Sequence, residues 1–233
     1  MLPTLERHHD VLAPTLPGHA GGSPIGDRVT IALLADAVEG AMEQAGFETA
    51  HIVGNSLGGY LALHLAVRGR AESVVAFAPA GGWVDDGASL RALVDRQKRI
   101  HEELRAGISN VDRALASARG RRRATQLVTE RFEHIPRDLI AHQIAGAAAC
   151  PAATSMLDHA LDLDWNLDAQ RVTCPVRIVW GTADRLLPWP SAAARYREGL
   201  PRADWVVLDG VGHCPQLDVP LEAAHLILGL TSA

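Results

Sequence analysis

Three residues of this chain have the types and the order that nucleophilic catalysis requires. Ser56 lies in the pentapeptide Gly54–Gly58, which fits the pattern G-x-S-x-G, and Asp184 and His213 follow it along the chain. A serine hydroxyl is a poor nucleophile near neutral pH. It needs a base within hydrogen-bond reach, and that base needs a third group to orient it. These three residues are therefore the candidates for a nucleophile and the groups that activate it.

The elements on either side of Ser56 are the ones that could present its hydroxyl. Thr49–Val53 is rich in β-branched residues and is predicted to be a buried strand, and Leu57–Val67 has the apolar spacing of a helix. A strand that turns straight into a helix strains its central residue and requires glycine where the two arms approach. It also places the N-H of Leu57 and the helix dipole beside the hydroxyl, where negative charge can be stabilised. The alternative is a glycine-rich turn that happens to hold a serine.

Strands and helices alternate through most of the chain. The predicted strands are His9–Ala13, Thr49–Val53, Ser73–Ala78, Val176–Trp180 and Asp204–Leu208, and the predicted helices include Ile31–Ala45, Ser191–Leu200 and Leu221–Leu230. This alternation predicts an α/β fold with a mostly parallel sheet that carries helices on both faces. In such a sheet reactive groups gather at the carboxyl ends of the strands, and Ser56, Asp184 and His213 each follow a predicted strand.

A long helical stretch interrupts this alternation. Residues 83–171 contain four amphipathic patterns and no strand candidate, so we expect a helical cap inserted into a core made of residues 1–82 and 172–233. Trp83 and Trp189 are the candidates for the wall of a substrate pocket, although buried tryptophans more often belong only to the core. The basic run Arg119–Arg123 is interpreted as a solvated face, because no aromatic residues are interleaved with it.

The composition argues against several partners and compartments. The net charge is −5, which gives the chain no electrostatic reason to bind nucleic acid or an anionic membrane. We find no apolar run long enough to span a bilayer, and the first residues lack the pattern of a signal peptide. The three cysteines are widely spaced and form neither a CxxC motif nor a metal-ligand cluster. Reduced thiols and a cytoplasmic location are therefore expected.

Three motifs in register resemble those of the α/β-hydrolase fold family, in its capped serine-hydrolase branch. The elbow Gly54–Gly59, the acid loop Trp180–Asp184 with Pro188, and the histidine loop Gly212–Pro215 with Asp218 and Pro220 carry the likeness, and Leu16–His19 with Ser23 and Pro24 resembles the loop after the family's fourth strand. The resemblance covers the chain from about residue 8 to its end. It implies that Ser56 is the nucleophile, that His213 is the general base and then the general acid, and that Asp184 orients His213.

Other assignments of these residues stay open. Asp85 and Asp86 follow the preceding strand and are rival acids, because some members of the family place the acid there. Asp209 lies too near His213 in the chain for its side chain to reach the far ring nitrogen easily. His213 could be an ordinary core histidine, His19 is expected near the pocket mouth, and Cys214 is expected to pack rather than react.

The family resemblance also predicts a missing part. An oxyanion hole needs two donors: Leu57 N-H supplies one, and the family's loop after strand three, with a His-Gly pair, supplies the other. The sequence has no counterpart of strands one to three, so the fold is expected to be N-terminally incomplete. The loop Gly18–Gly22 is a possible substitute donor. We expect the native protein to extend upstream of Met1 by about 30–60 residues, the usual length of two or three strands with their turns.

The predicted function is a serine hydrolase that cleaves an ester, thioester or related acyl bond in a small molecule through an acyl-enzyme. Acyl transfer and hydrolysis of a carbon–carbon bond in a diketone use the same three groups. No metal and no organic cofactor is required. The alternative is a ligand-binding or scaffold protein that keeps the fold with little turnover, because the oxyanion strand and loop are missing. The helical cap is expected to govern substrate choice.

Overall fold

The computed structural model describes residues 1–26, 29–83, 88–162 and 165–232. Its described residues form one sheet of four parallel strands, paired in chain order. The strands are β1 (Ala50–Asn55), β2 (Ala71–Phe77), β3 (Val176–Gly181) and β4 (Asp204–Leu208). Every neighbouring pair is parallel, so all four carboxyl ends lie at one edge of the sheet. The turns that hold Ser56, Asp184 and His213 follow β1, β3 and β4 at that edge.

Helices lie before, between and after these strands. Their bounds are α1 (Leu2–Leu5), α2 (Ile31–Gln44), α3 (Leu57–Val67), α4 (Ala88–Gly107), α5 (Val111–Leu115), α6 (Ala118–Thr125), α7 (Arg137–Ala148), α8 (Ala153–His159), α9 (Ala194–Gly199), α10 (Pro215–Asp218) and α11 (Pro220–Thr231). None of the helices in the described ranges is long and apolar enough to cross a membrane.

The side chains of successive strand residues are buried on opposite faces of the sheet. Val74 and Ala76 of β2 belong to a core formed with α2, α3 and α9, whereas Val75 and Phe77 belong to a second core formed with α1 and α11. In β3, Ile178 and Trp180 join the first core, and Val179 joins the second. These strands are apolar at consecutive positions because helices cover both faces, as is usual for parallel sheets. The predicted α/β fold is confirmed.

Helices α4 to α8 form the connection between β2 and β3, which we call the helical block (residues 88–162). The block has a small apolar core of its own, made of Leu115, Phe132, Ile135 and Ile140. Leu217 of α10 packs against that core from outside the block. The arginine run lies on α6, where Arg122 pairs with Glu130 at 2.9 Å and Arg121 donates to the Leu115 carbonyl at 3.1 Å. Two of its four arginines therefore stabilise the block itself.

The prediction of a strand at His9–Ala13 is wrong. This segment has no strand in the structure and does not pair with β1. Val11 and Leu12 are 39% and 40% exposed, and Val53 of β1 is 37% exposed. An apolar run becomes a strand only when a neighbour accepts its ladder hydrogen bonds, and β1 pairs with β2 alone within the described residues.

Candidate active site

Ser56 occupies a strained turn between β1 and α3. Its backbone has φ 56° and ψ −116°, in the region that favours glycine, and such a conformation costs roughly 1–3 kcal/mol. Three backbone bonds hold it there. Ser56 N donates to Phe77 O at 2.9 Å, and Ser56 O accepts from Tyr60 N and Ala80 N at 3.0 Å each. The strain persists because strand β2, the loop after it and the first turn of α3 all fix the same residue.

The glycines around Ser56 have different reasons for being glycine. A Cβ on Gly54 would lie 2.1 Å from the backbone of Gly58, so the strand and helix arms do approach too closely there for a side chain. A Cβ on Gly59 would lie 3.1 Å from Pro79 Cβ. A Cβ on Gly58 would meet nothing within 4 Å. The expectation that both flanking residues must be glycine therefore holds for Gly54 and is wrong for Gly58.

Asp184 and His213 form a buried pair at the ends of β3 and β4. His213 Nδ1 lies 2.8 Å from Asp184 Oδ2, and the two residues are 2% and 5% exposed. The other carboxylate oxygen, Oδ1, accepts from the N-H groups of Leu186 and Leu187 at 2.8 Å each. An ionised carboxylate only accepts hydrogen bonds, so Nδ1 is the donor of this bond, and in the neutral imidazole Nε2 then keeps a lone pair. That Nε2 is buried and has no hydrogen-bond partner among the described residues.

The side chain of Asn55 connects the serine turn to the histidine loop. Its Nδ2 donates to the carbonyls of His213 at 2.9 Å and Phe77 at 3.0 Å. Its Oδ1 accepts from Gln216 Nε2 at 3.1 Å and from Cys214 Sγ at 3.3 Å. The residue directly before Ser56 thus fixes the backbone of His213. Ser56 Oγ and His213 Nε2 do not form a hydrogen bond in this structure, as is common where no substrate is bound.

The thiol of Cys214, next to His213, is not a reactive group. Burial, together with the nearby carboxylates of Asp184 and Asp218, raises its pKa to about 12. A nucleophilic cysteine needs a lowered pKa, so this thiol stays protonated near neutral pH. Its hydrogen bond to Asn55 makes it a packing residue, as predicted.

A cavity of about 180 Å³ opens beside Ser56, between the sheet and the helical block. Its wall is almost entirely apolar and is formed by Val29, Ile31, Leu34, Ser56, Leu57, Ala80, Trp83, Leu90, Leu93, Val94, Gln97, Met156, Leu157, Ala160, Trp165, Leu186 and Leu187. Gln97 on α4 is the polar side chain that the helical block contributes, and it makes no hydrogen bond within the described part of the chain. No charged side chain lines the described wall.

Of the two tryptophans proposed for the pocket, one lines the cavity and the other does not. Trp83 lines the cavity and contacts Trp165 edge-on, with ring centroids 5.1 Å apart. Trp189 does not line it. Its ring lies between those of Trp180 and Trp205, at 6.2 and 5.9 Å. Its sequence position after the acid loop indicated proximity to the site, but the ring turns back to cover the sheet.

Of the remaining candidates, the structure describes Asp209 and His19. Asp209 accepts from Thr182 Oγ1 at 3.0 Å and makes no bond to His213. Asp85 and Asp86 lie outside the described residues. His19 stays within its own loop, where its Nδ1 lies 3.3 Å from Pro17 O.

One hydrogen-bond donor is positioned beside Ser56. Leu57 is the first residue of α3, and its N-H has no acceptor within the helix. The loop Gly18–Gly22 does not reach the cavity, because none of its residues lines the described wall. It contacts the helical block instead, and Gly18 O accepts from Ala152 N at 3.1 Å. The substitute-donor role considered for this loop has no support in the structure.

Metal-binding side chains do not cluster in the part of the chain that the structure describes: no group of three or more His, Cys, Asp or Glu residues could hold an ion there. The connections through Asn55 and the role of Gln97 escaped sequence reasoning. Asn55 is one of the two variable positions of the G-x-S-x-G pattern, and Gln97 shares the helical period of its apolar neighbours. Its polarity among apolar residues of the same helix face is the one signal in the sequence that distinguishes Gln97.

The chain is similar in sequence to known hydrolases. The model of the alpha/beta hydrolase family matches residues 1–226. Epoxide hydrolase EphH from Mycobacterium tuberculosis is 34% identical over 199 residues, which are 84% of this chain and 92% of that protein. A pimeloyl-[acyl-carrier protein] methyl ester esterase from Aromatoleum aromaticum is 27% identical, over 93% of this chain and 85% of that protein.

Among solved structures, the meta-cleavage product hydrolase CumD from Pseudomonas fluorescens superimposes with a TM-score of 0.74 at 21% identity. The match covers 99% of this chain and 82% of that one, and at this identity it shows the fold alone. The family match and the 34% identical relative together show more than the fold. The chain belongs to the alpha/beta hydrolase family and is an enzyme of the hydrolase type.

Proposed function

We propose that the protein is a serine hydrolase that cleaves an ester, a thioester or a related acyl bond through an acyl-enzyme on Ser56. The observation that carries the proposal is the arrangement around His213. Its Nδ1 is bonded to a buried carboxylate, its Nε2 is free to accept a proton, and its backbone is held to the residue before Ser56. This is the arrangement that converts a serine hydroxyl into a nucleophile.

The proposed reaction has two steps. Ser56 Oγ attacks the substrate carbonyl while His213 Nε2 takes the hydroxyl proton, and Leu57 N-H together with the N-terminal dipole of α3 stabilises the oxyanion. His213 then gives that proton to the leaving group, which leaves an ester on Ser56. Water attacks this ester with His213 again acting as base, His213 returns the proton to Ser56 Oγ, and the acid product is released.

The cavity limits the kind of acyl group that fits. Its volume of about 180 Å³ is below the roughly 300–1,000 Å³ of pockets for drug-sized ligands, and its described wall carries no charge. Burying an unpaired charge there costs several kcal/mol. A small, neutral and mostly apolar acyl group is favoured, with one hydrogen-bonding atom opposite Gln97. A diketone satisfies the same conditions, if the carbon–carbon bond beside its attacked carbonyl breaks and the acyl group is transferred to Ser56.

Epoxide hydrolysis is the second candidate, because the 34% identical relative is named as an epoxide hydrolase. The nucleophile argues against a covalent route. A carboxylate that opens an epoxide forms an ester, whose carbonyl water can attack. A serine would form an ether, which has no carbonyl and is not hydrolysed by a histidine base.

A third candidate is a binding protein with little turnover. It is favoured by the oxyanion donors, since within the described residues Leu57 N-H is the donor assigned beside Ser56 and the loop Gly18–Gly22 lies elsewhere. Removing one such donor costs roughly 10²–10³ in turnover. A missing donor lowers the rate but leaves the nucleophile in place. A slow hydrolase would therefore still react at Ser56, whereas a protein with no hydrolase chemistry would not.

The experiment that tests the proposal compares an ester and an epoxide of similar size, for example phenyl acetate and styrene oxide. We expect ester turnover with release of phenol, and no diol from the epoxide above the uncatalysed rate. Diol formation that survives Ser56→Ala, with no ester turnover, would replace the acyl mechanism by direct attack of water on the epoxide. Stoichiometric binding of both compounds with neither reaction would favour the binding protein.

Met156 is predicted to control acyl-chain length, because it lines the cavity from α8 of the helical block. Met156→Ala should enlarge the cavity and raise the rate for longer esters relative to acetate, while labelling by a small fluorophosphonate changes less than threefold. Leu139→Ala is the matched control, since Leu139 lies in the same block, is 40% exposed and does not line the cavity. A uniform change across the ester series, or equal changes in both variants, would show that this wall does not contact the acyl chain.

A further inference from the structure

Asp218 is a buried carboxylate that the proposed chemistry does not use. It ends the short helix α10, five residues after His213, and is only 2% exposed. No Lys, Arg or His pairs with it anywhere in the described residues. A buried charge without a cation must be stabilised by hydrogen bonds, and these are unusually well defined here.

Three backbone N-H groups from two separate segments converge on this carboxylate. Glu130 N donates to Oδ1 at 2.9 Å and to Oδ2 at 3.0 Å, and Arg131 N donates to Oδ1 at 2.9 Å. Both belong to the helical block. Gly212 N donates to Oδ2 at 2.6 Å, and Gly212 is the residue directly before His213. A single carboxylate therefore fixes the segment between α6 and α7 of the helical block against the histidine loop.

Further contacts reinforce this junction. Cys214 N, on the other side of His213, donates to Val128 O at 2.8 Å. The His134 ring lies 2.8 Å from the carbonyl of Leu217, whose side chain packs against the core of the helical block. The backbone on each side of His213 is thus bonded, directly or through Asp218, to the segment from Val128 to Arg131.

Gly212 leaves little room for a side chain at this junction. A Cβ there would lie 3.0 Å from Val128 O, 3.1 Å from Thr129 Cα and 3.1 Å from Asp218 Oδ2. Two of these three atoms belong to the backbone of the helical block and cannot rotate away. The position of His213 is therefore set from two sides, by Asn55 on the serine turn and by Asp218 with the helical block.

We propose that Asp218 is a positioning residue that couples the helical block to His213, so that the segment from Val128 to Arg131 controls the chemical step and not only the choice of substrate. This inference rests on the proposed function of Ser56 and His213. A displacement of about 1 Å at a reacting group can cost on the order of 10²-fold in rate. Loosening the junction is expected to lower the rate of chemistry while leaving ground-state binding almost unchanged.

Asp218→Asn is the test, because it keeps the shape and replaces one acceptor oxygen by an NH₂ group. With its oxygen toward Glu130 and Arg131, the NH₂ faces Gly212 N-H, and two donors repel each other. We expect labelling of Ser56 by a small fluorophosphonate to slow by on the order of 10²-fold. In ester turnover, kcat should fall by a similar factor with KM changed less than threefold.

A direct readout of His213 separates positioning from general loss of structure. The proton between His213 Nδ1 and Asp184 Oδ2 should give a downfield proton NMR resonance that is absent in His213→Gln, and this resonance should shift or broaden in Asp218→Asn. Ser117→Ala is the matched control. It removes the side-chain cap at the N-terminus of α6, a bond to Gly120 N at 3.0 Å, whereas the C-terminal end of α6 is the one bonded to the segment from Val128 to Arg131. Labelling and resonance should stay as in the wild type.

Gly212→Ala keeps the test decisive if Asp218→Asn does not fold, because it opens the same junction without removing a charge. It should slow labelling and move the resonance in the same direction. Wild-type labelling rates and an unmoved resonance in both variants, or in Gly212→Ala alone if the other is unfolded, would overturn the role of Asp218. Failure of the wild-type protein itself to label at Ser56 would overturn the proposed function instead, and the NMR comparison would still decide the role of Asp218.

Discussion

Ser56→Ala should abolish both fluorophosphonate labelling and ester turnover, and this is the largest effect expected in the chain. The side chain supplies the only atom that could carry the acyl group in the proposed mechanism, whereas the backbone bonds that hold the turn involve Ser56 N and O, which alanine keeps. The hydroxyl makes no hydrogen bond to His213. The free energy of unfolding should therefore change by no more than about 0.5 kcal/mol. Intact-mass analysis after labelling and a thermal melt measure the two quantities.

The matched control is Ser191→Ala, which removes an exposed hydroxyl that donates to Pro188 O at 3.1 Å, away from the cavity. It should label and turn over ester as the wild type does. Labelling that survives Ser56→Ala would assign the nucleophile to another residue. Loss of labelling together with a large fall in melting temperature would show that the hydroxyl has a structural role that the hydrogen bonds do not reveal.

The sequence was sufficient wherever local pattern decides the structure. Helix α3 and strand β4 begin and end where the apolar spacing predicts. The strained turn at Ser56 follows from a strand that ends directly before a helix, with glycine at position 54, where a Cβ would lie 2.1 Å from the backbone of Gly58. The pairing of Asp184 with His213 follows from their position after β3 and β4, because adjacent parallel strands place their following turns side by side.

Other features depend on contacts that no local pattern encodes. His9–Ala13 has strand-like residues, but strand formation requires a partner that the sequence of the segment cannot supply. Trp189 turns toward Trp180 and Trp205 rather than the cavity, and a side-chain direction in a loop has no periodic signal. Asp218 was recognisable as part of the histidine-loop motif. Its bonds to Glu130 and Arg131 cross 88 and 87 residues of chain, so only the fold reveals them.

Asp184→Asn is expected to give the second-largest effect, and the geometry explains why. Asp184 Oδ1 accepts two backbone N-H groups at 2.8 Å, from Leu186 and Leu187. The oxygen of an asparagine must take that position, because an NH₂ group there would face two donors. The NH₂ group then points at His213 Nδ1, which has to accept. The proton moves to Nε2, the one atom that must be free to receive the hydroxyl proton of Ser56.

The variant should therefore keep its fold while its base has the wrong tautomer. The same change in serine proteases lowers kcat by about 10⁴. We expect a loss of that order in ester turnover, while a thermal melt still shows a folded protein. Asp209→Asn is the control, since that carboxylate bonds Thr182 and not His213. A loss of only a few-fold in Asp184→Asn, with a larger loss on changing Asp85 or Asp86, would move the orienting acid to the earlier loop. The pair at 2.8 Å would then be a structural one.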